Sequence, residues 1–245
     1  MKIGVFGDSY ADIVSSGTRS QSWPCVVQRE LNAKVDYYAR SGTSMWWSYQ
    51  LFKEHYKKYD VIIFSFTSAS RWPNLPDELE IGHQFNIGYL KTGNIQDTLN
   101  PFFFSLFPEK LLDFLCSAIQ KDVVETCERE GKYLVQVVPF IGGYPDMKRY
   151  DFDVHMNKFP IISGLDYVSH KEELLVDNKK VNAGKYLGLK YPDHRGCHLN
   201  TSNNKIVADW IIDCITHKKY DVSFECENYK DWVWFDHTDS KMTMI

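Results

Sequence analysis

The apolar positions of this chain follow two different spacings. Uninterrupted runs, "KIGVF", "KVDYYA", "VIIFSF" and "KYLVQVVPF", have the length and β-branched content of strands. A fifth, shorter run lies in "FPIISGLD". Elsewhere apolar residues recur every three or four positions, the spacing that gathers them on one helix face. "SWPCVVQREL" predicts a helix with Ser22 as its cap and Pro24 in the first turn. "SMWWSYQLFKEHYKK" predicts a second, with Trp46, Tyr49, Phe52 and Tyr56 on one face and a cationic last turn. "PEKLLDFLCSAIQKDVVETCEREG" predicts a third, with a stripe of Leu111, Leu112, Leu115, Ile119, Val123 and Cys127 and a stop at Gly131. "TSNNKIVADWIIDCI" predicts a fourth, capped by Thr201 or Asn200, with Ile206, Trp210, Ile211 and Cys214 near one face.

Strand and helix thus alternate from residue 2 to about residue 215. Strands that lack polar alternation are covered on both faces, which predicts an α/β, three-layer α/β/α sandwich around a mostly parallel sheet of about five strands, flavodoxin-like in form. Such sheets bind ligands at the carboxyl ends of their strands, near the topological switch point. Ser9, Gly42, Thr67 and Pro139 each follow a predicted strand, so one edge of the molecule should collect them. Segments 67–107 and 140–196 read as insertions in a single domain over 1–218, with 179–196 a loop. The aromatic and acidic extension 219–245 fits a terminal hairpin or a protein-binding tail.

Composition narrows the function classes. At 44% hydrophobic, the 245 residues can bury a sizeable core. A net charge of −4 and a pI near 6.1 offer no clustered basic face, so no nucleic acid is expected as a partner. The six cysteines form no CxxC pair, which points to reduced thiols rather than a zinc ribbon. The apolar run at the start is too short for a signal peptide or a membrane span, so a soluble, cytoplasmic protein is expected.

The chemistry centres on "FGDSY", where an apolar run breaks into Gly-Asp-Ser. A serine hydroxyl is a weak nucleophile until a base takes its proton. A strand-to-helix turn exposes such a side chain and aims backbone N–H groups at a developing anion. The plain alternative is a tight turn in which Asp8 or Ser9 caps a helix. The stretch lacks the GxSxG pattern of an α/β-hydrolase elbow. Among the eight histidines, His194 and His198 stand out in "YPDHRGCHLNTSNNKIVADW", just before a helix and close to Asp193. A histidine there can reach over the sheet, with a carboxylate to fix its tautomer. A zinc site is the weaker reading, because Gly196 separates the two histidines and no acidic residue stands between them.

With "FGDSY" early and an Asp…His loop late, the chain resembles the SGNH/GDSL hydrolase superfamily. The resemblance covers the order of elements over roughly residues 2 to 215. It implies Ser9 as nucleophile, His198 as base with Asp193 orienting it, and an oxyanion hole from the N–H groups of Ser9 and Gly42. Two positions depart from the family pattern. Arg195, not an acid, stands three before His198, and "TSASRW" follows the third strand where an asparagine belongs. Thr67, Ser68, Ser70 or Arg71 would supply the missing donor. Asp8, Arg71, His194 and Arg195 are further candidates for substrate contact or for the base. The "T-S-x-S-R" and "D-x-R-x-x-H-L" stretches look like divergent bacteriophage members.

The resemblance implies no cofactor and no metal, and an O-acyl ester as substrate, on a small molecule or a glycan. Trp46, Trp47, Trp72 and Phe102 to Phe104 would either stack on a sugar or pack in the core. The alternative is an SGNH-fold binding protein with weakened or lost catalysis, meeting a host factor through its tail.

Overall fold

The computed structural model describes residues 1–13, 19–67, 71–73, 84–86, 109–139, 158–165, 173–176, 179–182, 199, 201–232 and 242–244. Its centre is a parallel sheet of six strands: β1 (Lys2–Gly7), β2 (Lys34–Ala39), β3 (Val61–Ser65), β6 (Tyr133–Val138), β7 (Ile161–Ser163) and β10 (Ser223–Glu225). Their spatial order is β10-β7-β6-β3-β1-β2, with every pairing parallel. Chain order reverses at β1: the chain goes to one side for β2, then returns past β1 to β3. Carboxyl ends on either side of that reversal diverge and leave a crevice.

Every residue of β3 and β6 is buried, so helices must cover both faces, as the unbroken apolar runs require. Helix α1 (Trp23–Glu30) packs on α4 (Thr201–His217), and α2 (Met45–His55) on α3 (Glu109–Arg129). Phe6 anchors one aromatic layer, stacked on Tyr38 and edge-on to Phe52.

The sheet has one strand more than the hydrophobic pattern predicts. The sixth, β10, comes from the extension that the pattern leaves unplaced, and Cys226 and Trp232 behind it are buried. Within 179–196, expected as loop, β9 (Lys179–Asn182) pairs antiparallel with β8 (Glu173–Val176), and β11 (Met242–Met244) adds to β8. Within 67–107, β4 (Arg71–Pro73) pairs with β5 (Gln84–Asn86). These strands are three or four residues long, too short for periodicity to register.

Two helix faces are rotated from expectation. The buried line of α3 runs through Cys116, Gln120, Val123, Val124 and Cys127, with Leu115 and Ile119 only half-buried. That of α4 runs through Asn203, Asn204, Val207, Ala208, Ile211, Cys214 and Ile215, so Ile211 and Cys214 are buried as expected while Ile206 and Trp210 are half-buried. Among the described residues, no helix is long and apolar enough to cross a membrane. The described cysteines, Cys25, Cys116, Cys127, Cys214 and Cys226, form no disulfide with one another.

Candidate active site

Ser9 lies two residues beyond the end of β1, at the edge where chain order reverses. The turn that carries it is built by Asp8. The Asp8 carbonyl accepts from Ala11 N at 3.0 Å, and Asp8 Oδ1 accepts from Tyr10 N at 3.2 Å. Gly7 lets the turn form against the sheet. A Cβ there would lie 2.5 Å from Ser65 Cβ, closer than real Cβ atoms approach, and a tight 3.2 Å from Ala11 Cβ.

This turn is tied to both neighbouring strand exits. Toward β3, the Thr67 hydroxyl donates to Asp8 Oδ2 at 2.6 Å, across the switch point. Toward β2, Arg40 N donates to the Gly7 carbonyl at 3.2 Å, and Ser41 N to Asp12 Oδ2 at 2.8 Å. The β2 exit is therefore pinned before and after Ser9. Gly42 follows at once with φ 84°, a left-handed conformation that favours glycine. Ser44 then caps α2, accepting from Trp47 N at 3.2 Å. Asp8 and Asp12 are both buried, and their carboxyl oxygens accept the hydrogen bonds just described.

A third tie reaches the far end of the chain. Ser22 makes no side-chain cap on α1. The first α1 N–H, that of Trp23, donates instead to Asn204 Oδ1 at 2.8 Å. Trp23 Nε1 donates to the Tyr10 carbonyl at 2.8 Å, and Asn204 Nδ2 to the Leu199 carbonyl at 3.0 Å. Thr201, the first residue of α4, donates to Gln21 Oε1 at 3.1 Å. The start of α4 is thus fixed against the start of α1, beside the turn that bears Ser9.

Ser9, Gly42, Thr67 and Asp8 accordingly meet at one sheet edge, with Pro139 buried at the end of β6. The Thr67 hydroxyl is committed to Asp8. Arg71 lies in β4, and only its backbone is described. Ser68, Ser70, Asp193, His194, Arg195 and His198 lie outside the described residues. Burial pushes the Cys127 and Cys214 thiols up to about 12, which disfavours the thiolate at either position.

Asp12, Trp23 and Asn204 have no place in the sequence reading. Asn204 carries a detectable signal: with Asn203 it is one of two polar residues at the start of a buried helix face that is otherwise apolar. Asp12 carries none, because its partner is a backbone N–H of another turn.

No family model matches the chain, and no curated protein matches it. Solved structures do. A protein described as lipolytic and of the G-D-S-L family, from Desulfitobacterium hafniense, aligns at TM-score 0.50 and 12% identity over 86% of this chain and 98% of its own. An acetyl xylan esterase aligns at 0.47 and 15%, over 88% of this chain and 100% of its own. A lipase/acylhydrolase from Enterococcus faecalis aligns at 0.45 and 11%, over 89% and 96%. Together with the strand order and the Gly-Asp-Ser turn after β1, the first of these alignments identifies the α/β fold as that of the SGNH/GDSL hydrolases, in a divergent form.

Proposed function

We propose that this protein is a serine ester hydrolase. Ser9 Oγ attacks the ester carbonyl while His198 takes its proton, and Asp193 orients the imidazole. The N–H groups of Ser9 and Gly42 donate to the tetrahedral oxyanion. Collapse expels the alcohol, which receives the proton back from His198. Water then cleaves the acyl-enzyme by the same route.

One observation carries this reading: the turn holding Ser9 is linked, through Trp23 and Asn204, to the carbonyl of Leu199, the residue after His198. Consecutive Cα atoms are about 3.8 Å apart, so an anchored Leu199 keeps its neighbour close. His194 lies five positions before that anchor in sequence, with no comparable tie to an adjacent residue to draw on among the described residues. This supports His198 over His194 as the base.

The proposed substrate is an O-acylated carbohydrate. Trp46, in the first turn of α2 just after Gly42, is 37% exposed and packs against Tyr49 at 5.7 Å between ring centroids. An exposed indole beside the site suits a sugar face. Trp46→Ala should raise KM for an acetylated xylo-oligosaccharide several-fold and leave p-nitrophenyl acetate unaffected.

The main test uses p-nitrophenyl acetate turnover and labelling by a fluorophosphonate probe. Ser9→Ala should abolish both, His198→Ala should lower both by at least about 10³-fold, and His194→Ala should retain them. Equal labelling of wild type and Ser9→Ala ends the proposal. A second reading, a binding protein with weakened catalysis, draws on one observation: the Thr67 hydroxyl is spent on Asp8 where the family pattern has an asparagine. An unlabelled wild-type protein would favour it.

A further inference from the structure

Nucleophile and base in the proposed mechanism come from opposite ends of the sequence, so something must set the distance between them. One short polar chain links the turn that carries Ser9 to Leu199. It runs from the Tyr10 carbonyl to Trp23 Nε1 (2.8 Å), from Trp23 N to Asn204 Oδ1 (2.8 Å), and from Asn204 Nδ2 to the Leu199 carbonyl (3.0 Å). Tyr10 follows Ser9, and Leu199 follows His198. All four residues are buried.

The chemistry of Asn204 argues against simple packing. It sits on the apolar stripe of α4 with Val207, Ala208 and Ile211, where leucine would pack without unmet polar groups. Asparagine is also a poor helix former. Its amide instead uses its oxygen on one backbone N–H and its nitrogen on one backbone carbonyl, from two distant segments. Only a side chain with both a donor and an acceptor can bridge them. Trp23 does the same from α1, with its backbone N–H facing Asn204 and its indole N–H facing the Ser9 turn.

We propose that Asn204 and Trp23 are positioning residues that couple the turn carrying Ser9 to Leu199, the residue after the proposed base His198, and so set the serine–imidazole distance. This rests on the ester-hydrolase reading above. Neither residue touches substrate. Misplacing a catalytic group by about 1 Å costs on the order of 100-fold in rate, so cutting either end of the chain should act on kcat.

Two variants cut opposite ends. Asn204→Asp keeps an acceptor for Trp23 N but loses the donor to Leu199. Trp23→Phe keeps an aromatic ring but loses the donor to Tyr10. Active sites are counted by fluorophosphonate titration, so kcat per titrated site is independent of any unfolded fraction. We expect each variant to lose about 10- to 100-fold in kcat per site, with KM within about twofold. The double variant should lose little more than the worse single one, because both cut one chain. A merely structural role would lower the melting temperature and leave kcat per site within about twofold of wild type, which overturns the proposal.

A readout without turnover separates this from failure of the hydrolase reading. In wild type, Ser9→Ala should shift the His198 imidazole resonances in NMR. In the Trp23→Phe background the same substitution should shift them much less. An equal shift in both backgrounds overturns the coupling even if the enzyme is active. No shift in wild type overturns it together with the Ser9–His198 pairing.

Discussion

The two edges of the sheet use carboxylates in opposite ways. At the carboxyl edge, Asp8 and Asp12 are buried, and their oxygens accept from a threonine hydroxyl and from backbone N–H groups of two turns. At the amino edge, carboxylates stay near water and meet lysines. Glu128 pairs with Lys158, and Asp213 with Lys219 and His217. These groups sit on or near an open groove of about 490 Å³ lined by Asp60, Lys132, Tyr133, Lys218 and Tyr220 among others. Both edges close the same strands, yet among the described residues it is the carboxyl edge that commits buried carboxyl groups to holding turns. Burying a carboxylate costs several kcal/mol unless its hydrogen bonds are made well. Such groups are expected where a turn must keep one conformation, which is the requirement of an active site.

The contrast predicts large effects at the carboxyl edge and small ones at the amino edge. The largest belongs to Gly7→Ala. Its Cβ would collide with Ser65 Cβ at 2.5 Å, and we expect a loss of about 3 kcal/mol in urea-unfolding free energy, with labelling of Ser9 much reduced. Next is Asp12→Ala, which strands Ser41 N–H and frees the Gly42 turn. A loss of about 2 kcal/mol in stability and about tenfold in fluorophosphonate labelling rate is expected. Asp12→Asn still offers an oxygen to Ser41 N–H and should recover most of both. If alanine and asparagine behave alike, the bond to Ser41 is not what Asp12 is for.

A smaller effect, of opposite sign, is expected at Ser65. Its hydroxyl is buried, with no hydrogen-bond partner among the described residues. Ser65→Ala removes an unmet polar group and should raise stability by about 0.5 to 1 kcal/mol, with Ser9 labelling retained. The smallest effect is at the amino edge. The Lys219 hydrogen bond, joined by His217, holds the Asp213 carboxyl below its ordinary value near 3.8. A depressed carboxylate pKa contributes stability above the unfolded-state value, and that contribution is lost as pH falls through the folded value. Asp213→Asn should therefore lower Tm by roughly one degree at pH 7 and by nothing at pH 2, because exposed pairs contribute little. If it costs as much as Asp12→Ala, the contrast between the edges fails.

Legibility followed the kind of interaction involved. The four long strands of the sheet were plain, because burial on both faces leaves unbroken apolar runs. β10 was hidden: it is an edge strand of three residues with exposed, half-buried, exposed positions. Ser9, Gly42 and Thr67 were legible as residues that follow strands, and parallel strands bring their carboxyl ends together. Their bonding was not. The Thr67 hydroxyl reads equally well as an oxyanion donor or as the clamp on Asp8 that the structure shows. Asn204 was visible as a polar residue on an apolar stripe, but its partners were not, since Trp23 lies far upstream in sequence.

By itself the amino-acid order determined an alternating α/β chain with its polar turns at one edge, because helix and strand periodicity are local and each segment carries its own pattern. Strand order, the strand added from the extension, and the polar chain from Tyr10 to Leu199 were decided only on folding. Those features depend on distances between segments remote in sequence, and no local pattern encodes a distance that the packed core alone sets.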